Sequence, residues 1–241
     1  MIITNGFNIS GGHVIALATS AAFVGNTSST AAVTTYGSTS IISNTSPIST
    51  TVYSLNGSTD YLTIPASSNF SMGTGDFTVE WFQYMTSQPS NPRVFSMGNY
   101  SSASGAVSIE GGTFYVWENS GFRFSYSLTN YLNQWVHFAI SRISSQTSVY
   151  KNGIKIGTTY SDSNTFGNGT SLFAIGQESS PTSGSYFPGY ITGFRVCKGL
   201  GVYSGNFTVP TSKLGQTASA NPYGGVNTNP ITNQCVLLVQ P

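Results

Sequence analysis

The acidic side chains that could supply acid–base chemistry are few and widely separated in this 241-residue sequence. Asp76 and Glu80 lie four positions apart with Thr78 between them, and Glu110 and Glu118 each stand alone. Hydrolysis of a glycosidic bond needs two carboxyl groups close together, one to attack or activate water and one to donate a proton. No Glu-x-Asp-x-x-Glu run is present. The chain is therefore not expected to be an enzyme of this kind.

The sequence contains no His, Ser or Cys motif typical of a metal-dependent or nucleophilic active site. His13 and His137 have no His, Cys or carboxylate at metal-ligand spacing, so no zinc site is expected. The sequence also lacks a Gly-x-Ser-x-Gly elbow and a glycine-rich phosphate loop. Cys197 and Cys235 are too few for a disulfide framework. They are interpreted as buried free thiols. A single disulfide between them is the alternative if their strands are neighbours.

Charge is scarce and unevenly placed along the chain. Only 6% of residues are charged, against about 25% in typical soluble domains, and all of them lie between Asp60 and Lys213. The net charge of +1 and the lack of a Lys/Arg cluster argue against a nucleic-acid partner. Uncharged ends lose little desolvation energy when they pack against a neighbour, which favours a subunit of an assembly. An extracellular protein rich in Ser and Thr is the alternative.

Alternation of period two, interrupted by Gly, Asn, Ser and Pro, predicts an all-β fold. In DFTVEWFQY (76–84), the alternation places Trp81 on one strand face and Glu80 on the other. The runs GTFYVWENS and FRFSYSL predict one hairpin, and Asn152-Gly153 predicts the turn of another. Asp60, in the turn LNGSTD, is expected to accept backbone hydrogen bonds.

The distribution of charge and alternation predicts three parts. Residues 1–50 are interpreted as an uncharged N-terminal arm or small β subdomain used in assembly, and residues 51–213 as a β-sandwich. Residues 214–241 are a tail whose CVLLVQ strand returns to the sandwich. No apolar run reaches the ~18 residues of a membrane helix, so no membrane insertion is expected. The N-terminal HVIALATSAA lacks the basic flank of a signal peptide, which predicts a mature protein made in the cytosol.

Four segments, in order, resemble the laminin-G-like domains of the concanavalin A-like lectin/glucanase superfamily. They are YSLNGSTDYLTIP with DFTVEWFQY, then NQWVHFAISR, VYKNGIKIGT, and FAIGQESS with SYFPGYITGFRVCKG. The closing stretch FRVCKGLGVYSGNFTVPTSKLG, with VLLVQ, is most similar to laminin-G-like virion proteins of marine tailed bacteriophages. The resemblance implies an all-β, jelly-roll sandwich of two antiparallel sheets.

The resemblance also implies where a ligand would bind. In that family the loops at one rim of the sandwich form the ligand edge, which corresponds here to residues 98–105 and 176–187. The implied ligand residues are Asn99, Tyr100, Gln177, Glu178 and Tyr186. Tyr115 and Trp117 are a second candidate pair, since alternation puts both on one face of TFYVWE. The alternative is that all these aromatic side chains pack in the core or against a neighbouring subunit.

Calcium is the one ion that the resemblance suggests. It takes six to eight oxygen ligands, usually with two or more carboxylates. At the implied rim only Glu178 and Asp162 are charged, and Thr192-Gly193 stand where relatives often carry acidic residues. No metal site or cofactor is therefore expected.

These observations lead to one expected function and two alternatives. The expected function is that of a non-enzymatic phage virion structural protein at the virion surface, as a capsid decoration, fibre or tail component. Its expected partners are other virion subunits or copies of itself, with host or environmental glycans as further ligands. The alternatives are a secreted, extracellular carbohydrate-binding lectin module and a diverged polysaccharide-degrading enzyme.

Overall fold

Strands make up nearly all the regular structure in the described part of the chain. A computed structural model describes residues 21–24, 30–98, 105–118, 121–179, 185–215 and 234–241. Within these ranges the strands are β1 Ala21–Val24, β2 Thr30–Ala32, β3 Thr34–Tyr36, β4 Ser40–Ser43, β5 Thr51–Asn56, β6 Tyr61–Ile64, β7 Phe77–Met85, β8 Arg93–Met97, β9 Ala106–Glu110, β10 Thr113–Glu118, β11 Gly121–Ser127, β12 Trp135–Ile143, β13 Gln146–Lys151, β14 Ile154–Ser161, β15 Phe173–Ile175, β16 Pro188–Lys198 and β17 Cys235–Val239. One 3-10 turn, Ser68–Phe70, accompanies them. No helix in the described ranges is long and apolar enough to cross a membrane.

The strands form two antiparallel sheets. The ten-stranded sheet runs in the order β14-β13-β12-β7-β16-β17-β1-β2, with β5 also paired to β16 and β4 paired to β5. The seven-stranded sheet runs in the order β11-β10-β9-β8-β15-β6-β3. This architecture confirms the prediction of an all-β, concanavalin A-like jelly-roll sandwich.

The core lies between the two sheets and is built around Trp81. The Trp81 ring packs against Phe95 and Phe194 at centroid distances of 5.6 and 5.9 Å, and against Phe138 at 5.7 Å. All four side chains are fully buried. Burying an aromatic side chain of this size contributes about 1.5–3 kcal/mol, so the alternating apolar positions hold the sheets together.

A second, smaller core covers the outer face of the ten-stranded sheet. The segment after β16 folds back over that face and buries Val202, Tyr203 and Leu214 against Phe82 and Tyr150. The β7 strand is therefore covered on both faces, which is why its alternation is apolar on one side and mixed on the other.

Strands from both ends of the chain join the sandwich. In the stretch before residue 51, β3 pairs with β6, and β4 pairs with β5. At the other end, β17 pairs with β16 and with β1. Strands of the sandwich thus begin before residue 51, although local alternation there is weak. The three-part division and the assembly role of residues 1–50 stay predictions.

The predicted turns have the expected chemistry. Asp60 is buried, and its carboxylate accepts hydrogen bonds from the backbone N–H of Asn56 at 3.1 Å and of Ser38 at 2.7 Å. Asn152 and Gly153 join β13 to β14 with φ of 50° and 76°. Two successive positive φ values define the turn type that favours Asn-Gly, which confirms the predicted hairpin.

Cys197 and Cys235 face each other on neighbouring strands, β16 and β17. Their positions pair directly in the sheet, and both are buried free thiols. The two strands are therefore neighbours, which a disulfide between these cysteines would require. The hydrogen bond with Cys235 and burial together raise the pKa of the Cys197 thiol, which keeps its reactive thiolate scarce at neutral pH.

We expect these thiols to form one disulfide when the chain refolds with oxidised glutathione. The two thiols would lose two hydrogens as one S–S bond forms, and the glutathione disulfide would be reduced to two thiols. Closing the chain between residues 197 and 235 should raise the free energy of unfolding by about 3–4 kcal/mol. Thiol titration of the denatured product and a urea melt, compared with Cys235→Ser, measure both effects. A refolded protein that keeps both thiols would contradict the expectation.

Candidate functional site

The outer face of the seven-stranded sheet, turned away from the core, carries the candidate site. Directly paired residues of antiparallel strands lie on the same face of a sheet. One such row crosses from β6 to β11 through Thr63, Ala174, Ser96, Ala106, Trp117 and Phe122. The middle of this row is buried, whereas the β10 and β11 end carries partly exposed aromatic rings.

Three aromatic rings form a cluster at that end, here called the Trp117 cluster: Tyr115, Trp117 and Phe122. The Tyr115 and Trp117 centroids are 5.7 Å apart, and Phe122 lies 5.3 Å from Tyr115 and 5.8 Å from Trp117. Phe122 is 54% exposed, while Tyr115 and Trp117 are half-buried. The cluster therefore leaves part of each ring exposed to solvent on the β10–β11 strand pair.

A hydrogen-bonded chain holds the Trp117 indole in place. The indole Nε1–H donates to Ser108 Oγ at 2.8 Å, and the Ser108 hydroxyl donates to Glu110 Oε1 at 2.6 Å. Arg93 Nη1 donates to the same Glu110 oxygen at 2.7 Å, and its guanidinium carbon lies 5.4 Å from the Trp117 ring centroid. Arg93 and Glu110 thus balance each other's charge beside the Trp117 ring.

The structure treats the two sets of predicted ligand residues differently. It brings Tyr115 and Trp117 together on one exposed face, as alternation suggested. Asn99 and Tyr100 lie outside the described residues. Tyr186 is half-buried and lies 6.1 Å from Tyr61, at the far edge of the same sheet.

Gln177 and Glu178 are buried, with 0% and 5% exposure, so they do not present their polar groups to solvent as placed here. The loop that contains them is drawn onto the sheet by two backbone hydrogen bonds. Phe187 N–H donates to Gly176 O at 2.9 Å, and Arg93 N–H donates to Ser185 O at 3.0 Å. The role of these two residues in ligand binding stays a prediction.

Sequence reasoning missed Phe122, Arg93 and Glu110. Phe122 comes opposite Trp117 only because the β10–β11 register shifts between Val116 and Trp117. A similar shift between Arg93 and Phe95 brings Arg93 opposite Ser108. Simple alternation of FRFSYSL would put Phe122 and Phe124 on the same face, so it gave no signal for Phe122. The register shift separates them, because Phe124 pairs with Val116 and Phe122 with Trp117.

A second group of chemically active side chains is fully buried beneath the ten-stranded sheet's outer cover. Glu80 accepts from Arg195 Nε at 2.8 Å and from the Tyr203 hydroxyl at 2.7 Å, and its Oε2 lies 3.1 Å from His137 Nε2. Burial alone would raise the pKa of Glu80, but the Arg195 charge and the hydrogen bonds from His137 and Tyr203 lower it to about 2. With 0–2% side-chain exposure in its ion pairs, this cluster has no surface that a substrate could contact.

A third group of buried charges lies inside one end of the sandwich. Arg142 Nη1 donates to Asp162 Oδ2 at 3.0 Å, and the Arg142 guanidinium stacks over Phe77 at 4.6 Å. Although burial opposes it, hydrogen bonds from Asn164 and Thr147 and the Arg142 charge lower the pKa of Asp162. Asp162 therefore stays ionised.

Glu118, at the end of β10, takes the opposite protonation state. Its Oε1 accepts from the Tyr160 hydroxyl at 3.2 Å, and its Oε2 has no partner among the described residues. Burial, followed by the negative charge of Asp162, raises the pKa of Glu118 to about 8. Glu118 is thus largely protonated at neutral pH.

This protonation predicts a pH-dependent stability. Since the folded pKa of about 8 exceeds the ordinary value of 4.5, the folded state holds an extra proton between these pH values. The free energy of unfolding should therefore fall as pH rises through this window, by up to about 1.4 kcal/mol per pH unit. Glu118→Gln should remove that contribution. Urea melts of both proteins from pH 5 to 9 measure it, and equal slopes would contradict it.

No group of three or more His, Cys, Asp or Glu side chains that could hold a metal ion occurs within the described ranges. Of the two rim carboxylates considered for calcium, Asp162 already accepts from Arg142, Thr147 and Asn164.

Comparison with solved structures finds similar folds in a domain of an arabinanase and in botulinum neurotoxin structures. Domain 4 of AbnA, a GH43 extracellular arabinanase from Geobacillus stearothermophilus, solved with arabinotriose, is 18% identical, with TM-score 0.51 over 66% of this chain and 75% of that one. The binding domain of botulinum neurotoxin serotype D is 12% identical, with TM-score 0.53 over 78% and 49%. A botulinum neurotoxin type C structure, whose title ties cell entry to two ganglioside molecules, is 13% identical, with TM-score 0.53 over 73% and 47%.

These similarities show the fold alone, and the chain spans about half the length of the toxin structures it matches. A comparison with curated protein sequences finds no match. The Laminin_G_3 family profile, described as the concanavalin A-like lectin/glucanases superfamily, matches residues 56–200. This match covers more than half of the sequence and spans the strands from β6 to β16. The chain belongs to the concanavalin A-like lectin/glucanases superfamily.

Proposed function

We propose that this chain is a non-enzymatic glycan-binding protein whose ligand lies on the Trp117 cluster. The observation that carries the proposal is the set of three adjoining, partly exposed aromatic rings beside Arg93 and Glu110. The C–H faces of a sugar ring pack on aromatic faces, and its hydroxyls hydrogen-bond with nearby polar groups. Because Arg93 and Glu110 neutralise each other, neutral sugars fit this site better than sulfated or uronate-rich ones.

Two neighbours in fold support a carbohydrate ligand. The arabinanase domain was solved with arabinotriose, and the type C neurotoxin is described as interacting with gangliosides. Both ligands belong to those proteins. For this chain they support the class of ligand and leave the individual sugar open.

The state of the described carboxylates favours binding without turnover. Five of the seven carboxylates are buried, namely Asp60, Glu80, Glu118, Asp162 and Glu178. Glu110 is paired with Arg93, and the half-buried Asp76 accepts from Ser144 N–H. A glycoside hydrolase needs two accessible carboxyl groups near the scissile bond. This arrangement favours a binding protein over the alternative of a diverged polysaccharide-degrading enzyme.

As a location, we propose the surface of a phage virion, in contact with other subunits. The uncharged stretches 1–59 and 214–241 support this, because they can pack against neighbours at low desolvation cost. The resemblance of the closing segment to virion proteins of marine tailed bacteriophages supports it too. Sedimentation of the purified protein over a wide concentration range distinguishes a virion subunit from a secreted lectin module. Concentration-dependent assembly is expected, and a monomer at all concentrations would favour a secreted lectin module.

A glycan array and a product assay together test the proposed function. The purified protein should bind a subset of neutral oligosaccharides and leave them intact, as judged by mass spectrometry after prolonged incubation. Release of shorter products would identify an enzyme. A folded protein that binds no glycan on a broad array would contradict the proposal.

A further inference from the structure

A second aromatic cluster, here called the Tyr36 cluster, lies on the same sheet face at the opposite edge: Tyr36, Tyr61 and Tyr186. Tyr36 on β3 pairs directly with Tyr61 on β6, and their rings stack at 4.3 Å with an interplanar angle of 3°. Tyr186 lies 6.1 Å from Tyr61 at an angle of 50°. Tyr61 precedes Thr63 by two residues, so the stack lies on the outer face that carries Trp117.

The backbone beneath the Tyr36 cluster is firmly held. The buried carboxylate of Asp60 accepts from Ser38 N–H at 2.7 Å, and the Thr39 hydroxyl donates to Tyr36 O at 2.6 Å. Gly37, between Tyr36 and Ser38 in the sequence, has φ of 66°, and a Cβ on it would clash with Asp60 Oδ1. A rigid aromatic surface loses little conformational entropy when a ligand binds.

The chemistry of the Tyr36 cluster matches that of the Trp117 cluster. Tyr36 is 39% exposed, and Tyr61 and Tyr186 are half-buried. Burial, with the neighbouring Tyr36 and Tyr186, raises the pKa of Tyr61, so its hydroxyl stays neutral in the physiological range. Stacked phenol rings with neutral hydroxyls suit the apolar faces and hydroxyls of a neutral sugar.

The two clusters are separate on the sheet. Strands β10 and β6 are four strand spacings apart, which is roughly 19 Å at about 4.8 Å per strand. The strand residues between them, such as Ser96 and Ala174, are buried, so no exposed aromatic surface among the described residues joins the clusters.

We infer that the Tyr36 cluster is a second glycan site, which takes the same neutral class of sugar as the Trp117 cluster. The inference rests on the proposed function. Two sites on one face give avidity: a ligand surface that engages both binds more tightly than either site alone, often by two or more orders of magnitude. Polysaccharides and glycan-coated surfaces are therefore better ligands than short oligosaccharides.

Isothermal titration with a short array-positive oligosaccharide, too small to bridge the clusters, tests the second site. The unaltered protein should bind two molecules per chain, and Tyr36→Ala should bind one. Trp117→Ala should also bind one. Tyr126→Ala is the matched control, because Tyr126 is 38% exposed on β11 and belongs to neither cluster. It should keep both sites.

Binding to an immobilised polysaccharide gives an independent readout. Tyr36→Ala and Trp117→Ala should each weaken it on the order of 100-fold, as expected for loss of one of two linked sites. A stoichiometry of one that only Trp117→Ala abolishes would overturn the second site and leave the proposed function standing. Absence of glycan binding altogether would overturn both. Circular dichroism of each variant confirms that the fold is kept.

Discussion

Replacing Glu80 with glutamine is expected to lower the free energy of unfolding by about 3–5 kcal/mol. The substitution removes the charge that balances Arg195, which is buried at 1% exposure and donates to Glu80 through Nε at 2.8 Å. An unbalanced buried guanidinium is costly because the protein interior cannot solvate it as water does. Urea denaturation at pH 7 measures the loss.

Glu110→Gln is the matched control for this prediction. It is the same change in a second Glu–Arg pair, in which Arg93 is also buried but the Glu110 side chain is 28% exposed. Because water reaches this carboxylate, a smaller loss than that of Glu80→Gln is expected. The Glu80 contribution should also follow pH. Its pKa is lowered from 4.5 to about 2, so the stabilisation is present above pH 4.5 and disappears as the pH falls toward 2. Equal losses of unfolding free energy for the two variants would contradict the claim that burial of the Glu80–Arg195 pair sets the cost.

Trp117→Ala is expected to weaken binding of a glycan at the Trp117 cluster by about 30-fold. Truncating an aromatic anchor at the centre of a binding surface typically costs about 2 kcal/mol, which corresponds to that factor. The variant also frees Ser108, which holds the indole at 2.8 Å. Titration calorimetry on the Tyr36→Ala background isolates this site. An affinity unchanged by the substitution would exclude Trp117 from the site.

The fold was largely predictable from local patterns. The alternation around Trp81, the Asn152-Gly153 turn and the Asp60 turn each act within a few residues, and each appears as expected. The early strands β3 and β4 were not identified because they are short, with exposed or half-exposed positions throughout. The β3 strand bears polar side chains, and in β4 the adjacent Ile41 and Ile42 break the alternation. Their pairing with β6 and β5 depends on the completed sandwich.

The candidate site was predictable only in part. Alternation placed Tyr115 and Trp117 on a common face, but Phe122 and Arg93 reach them through register shifts that no short segment encodes. The buried Glu80–Arg195 pair joins residues 115 positions apart, which only the sheet brings together. Gln177 and Glu178 were predicted as ligand residues of a rim loop, and both are buried, so their role in binding stays a prediction.

The most direct test of the glycan site uses the indole N–H signals of the three tryptophans in an NMR titration with the best array ligand. Trp81 lies in the core and donates to Gln83, Trp135 lies on the ten-stranded sheet and donates to Thr45 O, and Trp117 lies in the proposed site. The Trp117 signal should move with ligand concentration while the other two stay in place. A ligand that shifts Trp135, or one that binds without moving Trp117, would contradict a glycan site at the Trp117 cluster.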